Sequence, residues 1–509
     1  MIKVFPLSGV PVYPEKEFVL CLRRFLETGA HVSSFFAVPE REAAAPQKAR
    51  LFAVLSWAEE GKTALVSSSV LQEFESLSAD FPQTAWFERE IAEQYGIRPR
   101  GHAWLKPLRF HEPLNGAAKI VKGGTIGDTE FFAIPGFDTH EVAVGPVHAG
   151  VIEPGHFRFQ CHGETVLHLE ISLGYQYRGL ESRLRTLLGS MEPGGKRGLS
   201  LPPQVIPLME TAAGDTSIGH CWTFCEALEG LGGTPAPARA VALRAVMLEL
   251  ERLANHTGDL GALAGDVGFL PTHSFCGRLR GDFLNMSALV CGSRFGRGMM
   301  TPGGVLFDID DSLVSELCTR LDSALKDTAQ AVELLWKSSS VLARFEHAGA
   351  LTERNALDLG LVGPAARACG VKRDVRMNFP RSDGLYKAMR LSLGETGDVY
   401  ARALVRWLEI ENSAAFLKNI LENFPQGDLL VPSGSLRPDS AVVSMTEGWR
   451  GEICHTVITD RLGIPAYLKI TDPSFHNWQG LAHALRDQQI SDFPLCNKSF
   501  NLSYCGHDL

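Results

Sequence analysis

The chain of 509 residues has no uninterrupted apolar run of membrane-spanning length, because Arg, Glu or Asp cuts each of its best stretches. Nor does it open like a secretory leader: "MIKVFPLSGVPVYPEKEF" has prolines and charges where such a leader has an apolar core. The expectation is a cytoplasmic chain that meets a membrane only through partner subunits. Positive charge is not in surplus. A net charge of −9 and a pI near 6.0 argue against nucleic acid as a partner. The eleven cysteines are an odd number with no CxxC pair, so a disulfide framework is excluded and most should be buried small hydrophobes. There is no GxxxxGK[ST] loop, and the pairs Gly194-Gly195 and Gly232-Gly233 lie beside prolines rather than between a strand and a helix. No site for NAD or ATP is legible, and no internal repeat is present.

What is there reads as an α+β protein. Up to about residue 110, strand-like runs ("ARLFAVLSW", "TALVSSSV") accompany an amphipathic helix, "TAWFEREIAEQYGI", with Gly96 where a C-cap belongs. A Gly-rich linker is expected over 111–140. The remainder, 141–509, opens on "FRFQCHGETVLHLEISLGY", which alternates like a β-hairpin turning at His162-Gly163. Long helices of a bundle follow in "ARAVALRAVMLELERLANHTGDLGALAGDVGF" and "DSLVSELCTRLDSALKDTAQAVELLWKSSSVLARF". A Gly/Pro-rich β-like stretch around "VVSMTEGWRGEICHTVITD" precedes a C-terminal helix and tail. "VKRDVRMNF", with Arg373, Asp374 and Arg376, reads as a basic, solvent-facing loop.

One stretch has the look of a metal site. In "AAGDTSIGHCWTFCEALE", His220 stands beside Cys221, and Cys225 follows one helical turn later. The ordered set "GPVHAGVIEPGHFRF", "LGYQYRGLE", "GDLGALAGDVGFL", "GRLRGDFLNM", "SRFGRGMMTPGGV", "EGWRGEICHTVITD" and "DPSFHNWQGLAHAL" resembles the large subunit of membrane-bound nickel–iron hydrogenases of the formate hydrogenlyase type. It equally resembles the homologous 49-kDa-type subunit of respiratory complex I. "WFEREIAEQYGIRPRGHAWLKPLRF" resembles the 30-kDa-type complex I subunit, fused in front. The resemblance implies a small α+β domain (1–110), the linker, and a β-hairpin plus helical bundle (141–509).

In the resembled hydrogenases four cysteines hold nickel and iron. The pattern C-G-x-C-G-x-x-H ends on the histidine that matches His220, which puts Ala213 and Thr216 at two ligand positions. "NLSYCG" puts Ser503 and Gly506 at the other two. None of these four supplies the soft, anionic sulfur that nickel and low-spin iron require. The expectation is therefore no metal and no cofactor bound by this chain, with an iron–sulfur cluster in a partner subunit. The resemblance to complex I departs too: its quinone-contacting tyrosine falls at Gly214, and its quinone-side histidine falls at or near Pro154, beside His156. Glu153 and Arg450 match positions around the metal centre, Asp472 is a second carboxylate available there, and with His220 these are the candidate cavity residues. An arginine in a buried cavity needs an anion, for which Glu153 and Asp472 are candidates, and a polar pocket is expected there. The bland reading of Cys221 and Cys225 is core packing; the sharp one is a relocated zinc site of Cys221, Cys505 and His507. The partners implied are an iron–sulfur small subunit and antiporter-like membrane subunits. Two functions remain open: an oxidoreductase subunit whose emptied site takes another redox substrate such as a quinone, and a non-catalytic scaffold.

Overall fold

The apolar-rich strands and helices of the first hundred residues assemble around one sheet. The computed structural model describes residues 1–39, 48–114, 117–121, 125–136, 138–148, 152–191, 199–381 and 383–509. Strand β1 (Ile2–Pro6) is followed by β2 (Val12–Tyr13), helix α1 (Glu15–Glu27), β3 (His31–Pro39), β4 (Ala49–Trp57) and β5 (Lys62–Val70). The sheet has the order β2-β5-β4-β3, with β2 parallel to β5. Helix α1 places Phe18, Val19, Leu22 and Leu26 in the core, the spacing of one helical face. A short parallel pair, β6 (Glu73–Glu75) and β7 (Arg98–Arg100), flanks helix α2 (Ala85–Tyr95). Gly96 ends α2 at φ 64°, the left-handed C-cap that the sequence indicated.

The first strand leaves this unit. β1 pairs antiparallel with a strand of the large domain, in the order β1-β13-β14-β15, where β13 is Ser440–Gly448, β14 Gly451–Thr459 and β15 Pro465–Thr471. The segment expected as a linker has no α-helix or strand among its described residues before β8 (Thr139–Val144), yet it is pinned at several points. The Phe132 amide donates to Glu170 at 2.8 Å and the Ile134 amide to Gln160 Oε1 at 3.3 Å. Just ahead of the segment, Lys106 pairs with Glu170, and Arg109 pairs with Glu90 while its guanidinium donates to the His507 carbonyl at 2.7 and 3.0 Å.

β9 (His156–His162) and β10 (Thr165–Ser172) form the expected hairpin, extended by β8 into a three-stranded sheet. Then come α3 (Leu180–Gly189), α4 (Val205–Met209), α5 (Ser217–Gly232), α6 (Ala238–Asp266) and α7 (Leu270–Cys291). A two-stranded ribbon, β11 (Met300–Thr301) and β12 (Gly304–Val305), leads to α8 (Asp311–Lys337) and α9 (Ser339–Phe345). The continuous helical pattern read in the sequence is thus broken at Ser338, whose backbone is extended. Short helices α10 (Glu353–Asp358), α11 (Gly363–Arg367) and α12 (Val375–Asn378) precede α13 (Val399–Glu422). After the sheet, α14 (Pro473–Ala484), α15 (Phe493–Phe500) and α16 (Tyr504–Asp508) complete the chain.

The reading of "VKRDVRMNF" as a solvent-facing loop is overturned. Arg373, Asp374 and Arg376 are 5%, 0% and 7% exposed. Arg376 pairs with Glu249 of α6, Glu409 of α13 and Asp374, and Arg373 with Glu452 of β14. Distant carboxylates, invisible in the local sequence, draw this stretch inward.

Candidate functional site

Four parts of the chain meet at the first turn of α5: the loop 213–216, the β13–β14 turn, the N-terminus of α14, and the tail around α16. No side chain of the loop caps α5. Glu251 of α6 does so instead, accepting from the amides of Ile218 at 2.8 Å and Gly219 at 3.3 Å. Burial pushes the Glu251 carboxyl up to about 8, against the pull of those two amides.

Arg450, in the β13–β14 turn, meets Asp215 in a two-pronged pair, Nη1–Oδ1 at 2.5 Å and Nη2–Oδ2 at 2.8 Å. Its Nε donates to the Asn501 carbonyl at 2.5 Å, and its guanidinium lies 3.9 Å from the Trp449 ring centre. The Trp449 indole N–H donates to the Asp215 carbonyl and to Thr216 Oγ1. Burial alone would push the Asp215 carboxyl up, but the Arg450 charge and hydrogen bonds hold it below its usual value. The anion expected for Arg450 is therefore Asp215, which sequence reasoning missed. The signal was available: Asp215 stands one residue before a ligand position, on a loop that must face the centre.

Asp472 caps α14, its Oδ1 accepting from the Ser474 amide at 2.7 Å. Its Oδ2 accepts from His220 Nε2 at 2.9 Å, and His220 Nδ1 lies 3.1 Å from Nε2 of His455 on β14. The two imidazoles and the carboxylate are 0%, 0% and 1% exposed. Burial, then the neighbouring His220, holds His455 well below its ordinary value. The Asp472 carboxyl is pushed up by burial, yet the His220 hydrogen bond and the nearby charges leave it below normal. His455 was not among the residues read from the sequence.

The positions that the resemblance assigns to metal ligands come together here, and each has a structural occupation. Ala213 is fully buried. Thr216 is held by Trp449. Ser503 caps α16, accepting from the Gly506 amide at 2.9 Å. A Cβ on Gly506 would lie 2.7 Å from the Asp472 carboxyl carbon, closer than carbon atoms approach, so Asp472 fills the space a cysteine side chain would need. The donor set here does not fit a nickel–iron centre: no sulfur stands at the four positions, and a carboxylate occupies part of the volume.

Two further expectations need correction. Glu153 is half-buried and, among the described residues, receives only a 3.4 Å hydrogen bond from the Tyr504 amide; the carboxylate that pairs with Arg450 is Asp215. Cys221, Cys505 and His507 do not form a metal-binding group among the described residues. Cys221 faces Cys225 on its own helix, and the Cys505 thiol meets Ser503 Oγ at 3.3 Å. His507 is turned the other way, bonded to Asp508 and wedged between Trp86 and Phe475. Two cavities of about 660 Å³ lie away from the centre, one lined by Tyr95, Arg185 and Tyr467, the other by Trp57, Glu353 and Lys372.

Residues 14–117 match the family model described as the respiratory-chain NADH dehydrogenase 30 Kd subunit, and residues 266–436 and 429–508 match that of the 49 Kd subunit. The carbon monoxide-induced hydrogenase of Rhodospirillum rubrum is 32% identical over 71% of this chain and 97% of its own. Formate hydrogenlyase subunit 5 of Escherichia coli is 26% identical over 85% of this chain and 76% of its own. NADH-quinone oxidoreductase subunit 4 of Thermus thermophilus is 29% identical over 69% and 89%. These relatives carry the names of hydrogenases and of subunits of multi-part oxidoreductases, and among the described residues no helix of this chain is long and apolar enough to cross a membrane. The chain thus belongs to the family of 49-kDa-type large subunits shared by NADH–quinone oxidoreductases and membrane-bound hydrogenases, with a 30-kDa-type domain fused in front.

Proposed function

We propose that this chain is the large subunit of a membrane-attached, complex I-like oxidoreductase complex that has exchanged its nickel–iron centre for a metal-free polar centre. The observation that carries this is the Asp472 carboxylate standing where a side chain at Gly506 would project, with no thiolate at Ala213, Thr216 or Ser503. Borderline metals bound by sulfur have no purchase on such a set. In this reading an iron–sulfur small subunit and antiporter-like membrane subunits are the partners, and the chain sits at the cytoplasmic face of the membrane through them. The test is to tag the chain in its native cell, isolate it from membranes and analyse what comes with it. An iron–sulfur protein should co-purify, nickel should fall far below about one per chain, and no dihydrogen should be evolved or consumed. Stoichiometric nickel, or a membrane isolate lacking any iron–sulfur protein, overturns the proposal.

A second reading, a scaffold without redox chemistry of its own at this centre, draws support from the two-pronged pairing of Arg450 with Asp215. Asp215→Asn in the intact complex separates the two. A working centre loses turnover with the subunits still assembled, whereas a scaffold keeps its turnover.

A further inference from the structure

The chain Asp472–His220–His455 ends on an atom with nothing to bond. His455 Nδ1 is buried and has no hydrogen-bond partner among the described residues. Directly across the strand pair from His455 stands Ser444, on the same face of the sheet, and its Oγ is a second buried polar atom without a partner. On directly opposed cross-strand residues, two such atoms are placed for one shared buried water.

Hydrogen-bond directions along the chain follow from its ends. A carboxylate only accepts, so His220 Nε2 carries a hydrogen toward Asp472. With His220 neutral, its Nδ1 accepts, and His455 Nε2 must donate to it. His455 is then the Nε2–H tautomer, with a bare lone pair at Nδ1.

We propose that Asp472, His220 and His455 form a proton-storing relay, loaded at His455 Nδ1 through a water held by Ser444, and that it supplies the acid–base group of this centre. The step balances without electrons. One proton from the water chain bonds to His455 Nδ1, the Nε2–H bond of His455 breaks, and that proton passes to His220 Nδ1. His455 ends neutral in its other tautomer, and the gained charge rests on His220 as an imidazolium against Asp472. His455 is suited to conduct rather than to hold the charge, since it has no carboxylate partner of its own and is fully buried. The titratable and charged groups around the relay are Arg450 and Asp215 from the turn and the loop and His476 of α14, which feels the Asp472 charge, with Glu251 of α6 beneath the first turn of α5. The inference deepens the reading of a metal-free centre, but its test does not depend on partners.

The measurement is ring-nitrogen NMR on the full-length chain labelled with 15N-histidine, titrated from about pH 5 to about pH 9, with His220→Gln and His455→Gln assigning the signals. The expected result is one shared midpoint: His220 gains its second ring proton as His455 changes from the Nε2–H to the Nδ1–H tautomer. His455→Gln, which retains a donor but cannot pass a proton through, should move the His220 midpoint by about one pH unit or more, and Ser444→Ala should slow the exchange. A His455 that keeps one tautomer throughout, or a His220 that never gains a proton, overturns the relay. Nickel in the purified complex would sink the functional proposal instead and would leave these spectra unchanged.

Discussion

Two buried charged regions of the large domain, built from similar residues, are organised in different ways. Around α13, Arg252, Arg367 and Arg376 meet Glu249, Asp374, Glu409 and Glu447, and each carboxylate accepts from at least two donors. Three guanidiniums face four carboxylates, so one carboxylate is in excess. Burial and the nearby Asp374 push Glu447 up to about 7. This cluster ties α6, α11, α12 and α13 to the β13–β14 hairpin. At the α5 centre the charges are fewer, one pair has an exposed edge, and the histidine chain ends unpaired. Dense multi-partner pairing is what holding elements together requires, whereas an unsatisfied end of a polar chain is where a proton or a water enters.

The comparison predicts its own largest effect. Arg367→Ala removes partners from Glu409 and Glu447 at once and leaves buried carboxylates uncompensated, which costs about 3–5 kcal/mol. Chemical denaturation, or loss of the folded chain outright, should report it. Arg450→Ala should cost clearly less, because the Asp215 side chain is 32% exposed and can rehydrate. Equal losses would remove the distinction drawn between the two regions.

Next in size is a test of how far the former ligand site has closed. Gly506→Cys drives a Cβ into the Asp472 carboxyl and should destabilise by about 1–3 kcal/mol, the range for overpacked interiors. In the background of Asp472→Ala the same substitution should be tolerated, giving a coupling between the two sites that exceeds additivity. An additive double mutant would mean that Asp472 does not occupy that space.

How much of this was legible beforehand differs by level. Helix α6, the hairpin of β9 and β10, and the Gly96 cap follow from local periodicity and turn chemistry, and the sequence displayed them. The centre was half visible: His220, Thr216, Ser503 and Gly506 do converge, because ordered motifs fix their positions along the chain. His455 was hidden because β14 is buried along its whole length, so the alternation that singles out an inward residue is lost. Arg373 and Arg376 were misread because their partners lie elsewhere in the chain, on α6, α13 and β14. A buried ion cluster is a tertiary property, and its local sequence looks like a solvated loop.

A smaller effect separates the helix cap of the centre from the rest by pH. The Glu251 carboxyl is raised from 4.5 to about 8, so the folded chain retains a proton that the unfolded chain has lost. The contribution of this group to stability therefore falls as pH rises between those values, by about 1.4 kcal/mol per pH unit at most, and flattens above them. Glu447 and Glu88, raised to about 7, still lose part of a proton above about pH 7. The buried Met1 ammonium, lowered from 8.0 to about 5, makes stability rise over the same interval, so the measurement is the difference between wild type and Glu251→Gln. Thermal or urea unfolding at about pH 7 and about pH 8 should show stability changing less favourably with rising pH in the wild-type chain than in Glu251→Gln. Identical changes in the two chains would place the proton elsewhere.

The smallest effect is expected at Glu153, the residue that the sequence placed beside Arg450. Among the described residues its half-buried carboxylate takes only one long hydrogen bond, from the Tyr504 amide, and has no ion pair with Arg450. Glu153→Gln retains an acceptor oxygen at nearly the same place, and the water that reaches the side chain compensates for the lost charge. Stability should change by less than about 0.5 kcal/mol, the ordinary range for surface substitutions. The Cys505 thiol should respond more, because the Glu153 charge is among the influences that raise its pKa, after burial. Removing that charge should lower the thiol pKa and speed its alkylation at fixed pH, read by mass spectrometry as the modified fraction over time. A large loss of stability in Glu153→Gln would show that the tail and the hairpin are held to the centre by this carboxylate, and would make the centre resemble the α13 cluster after all.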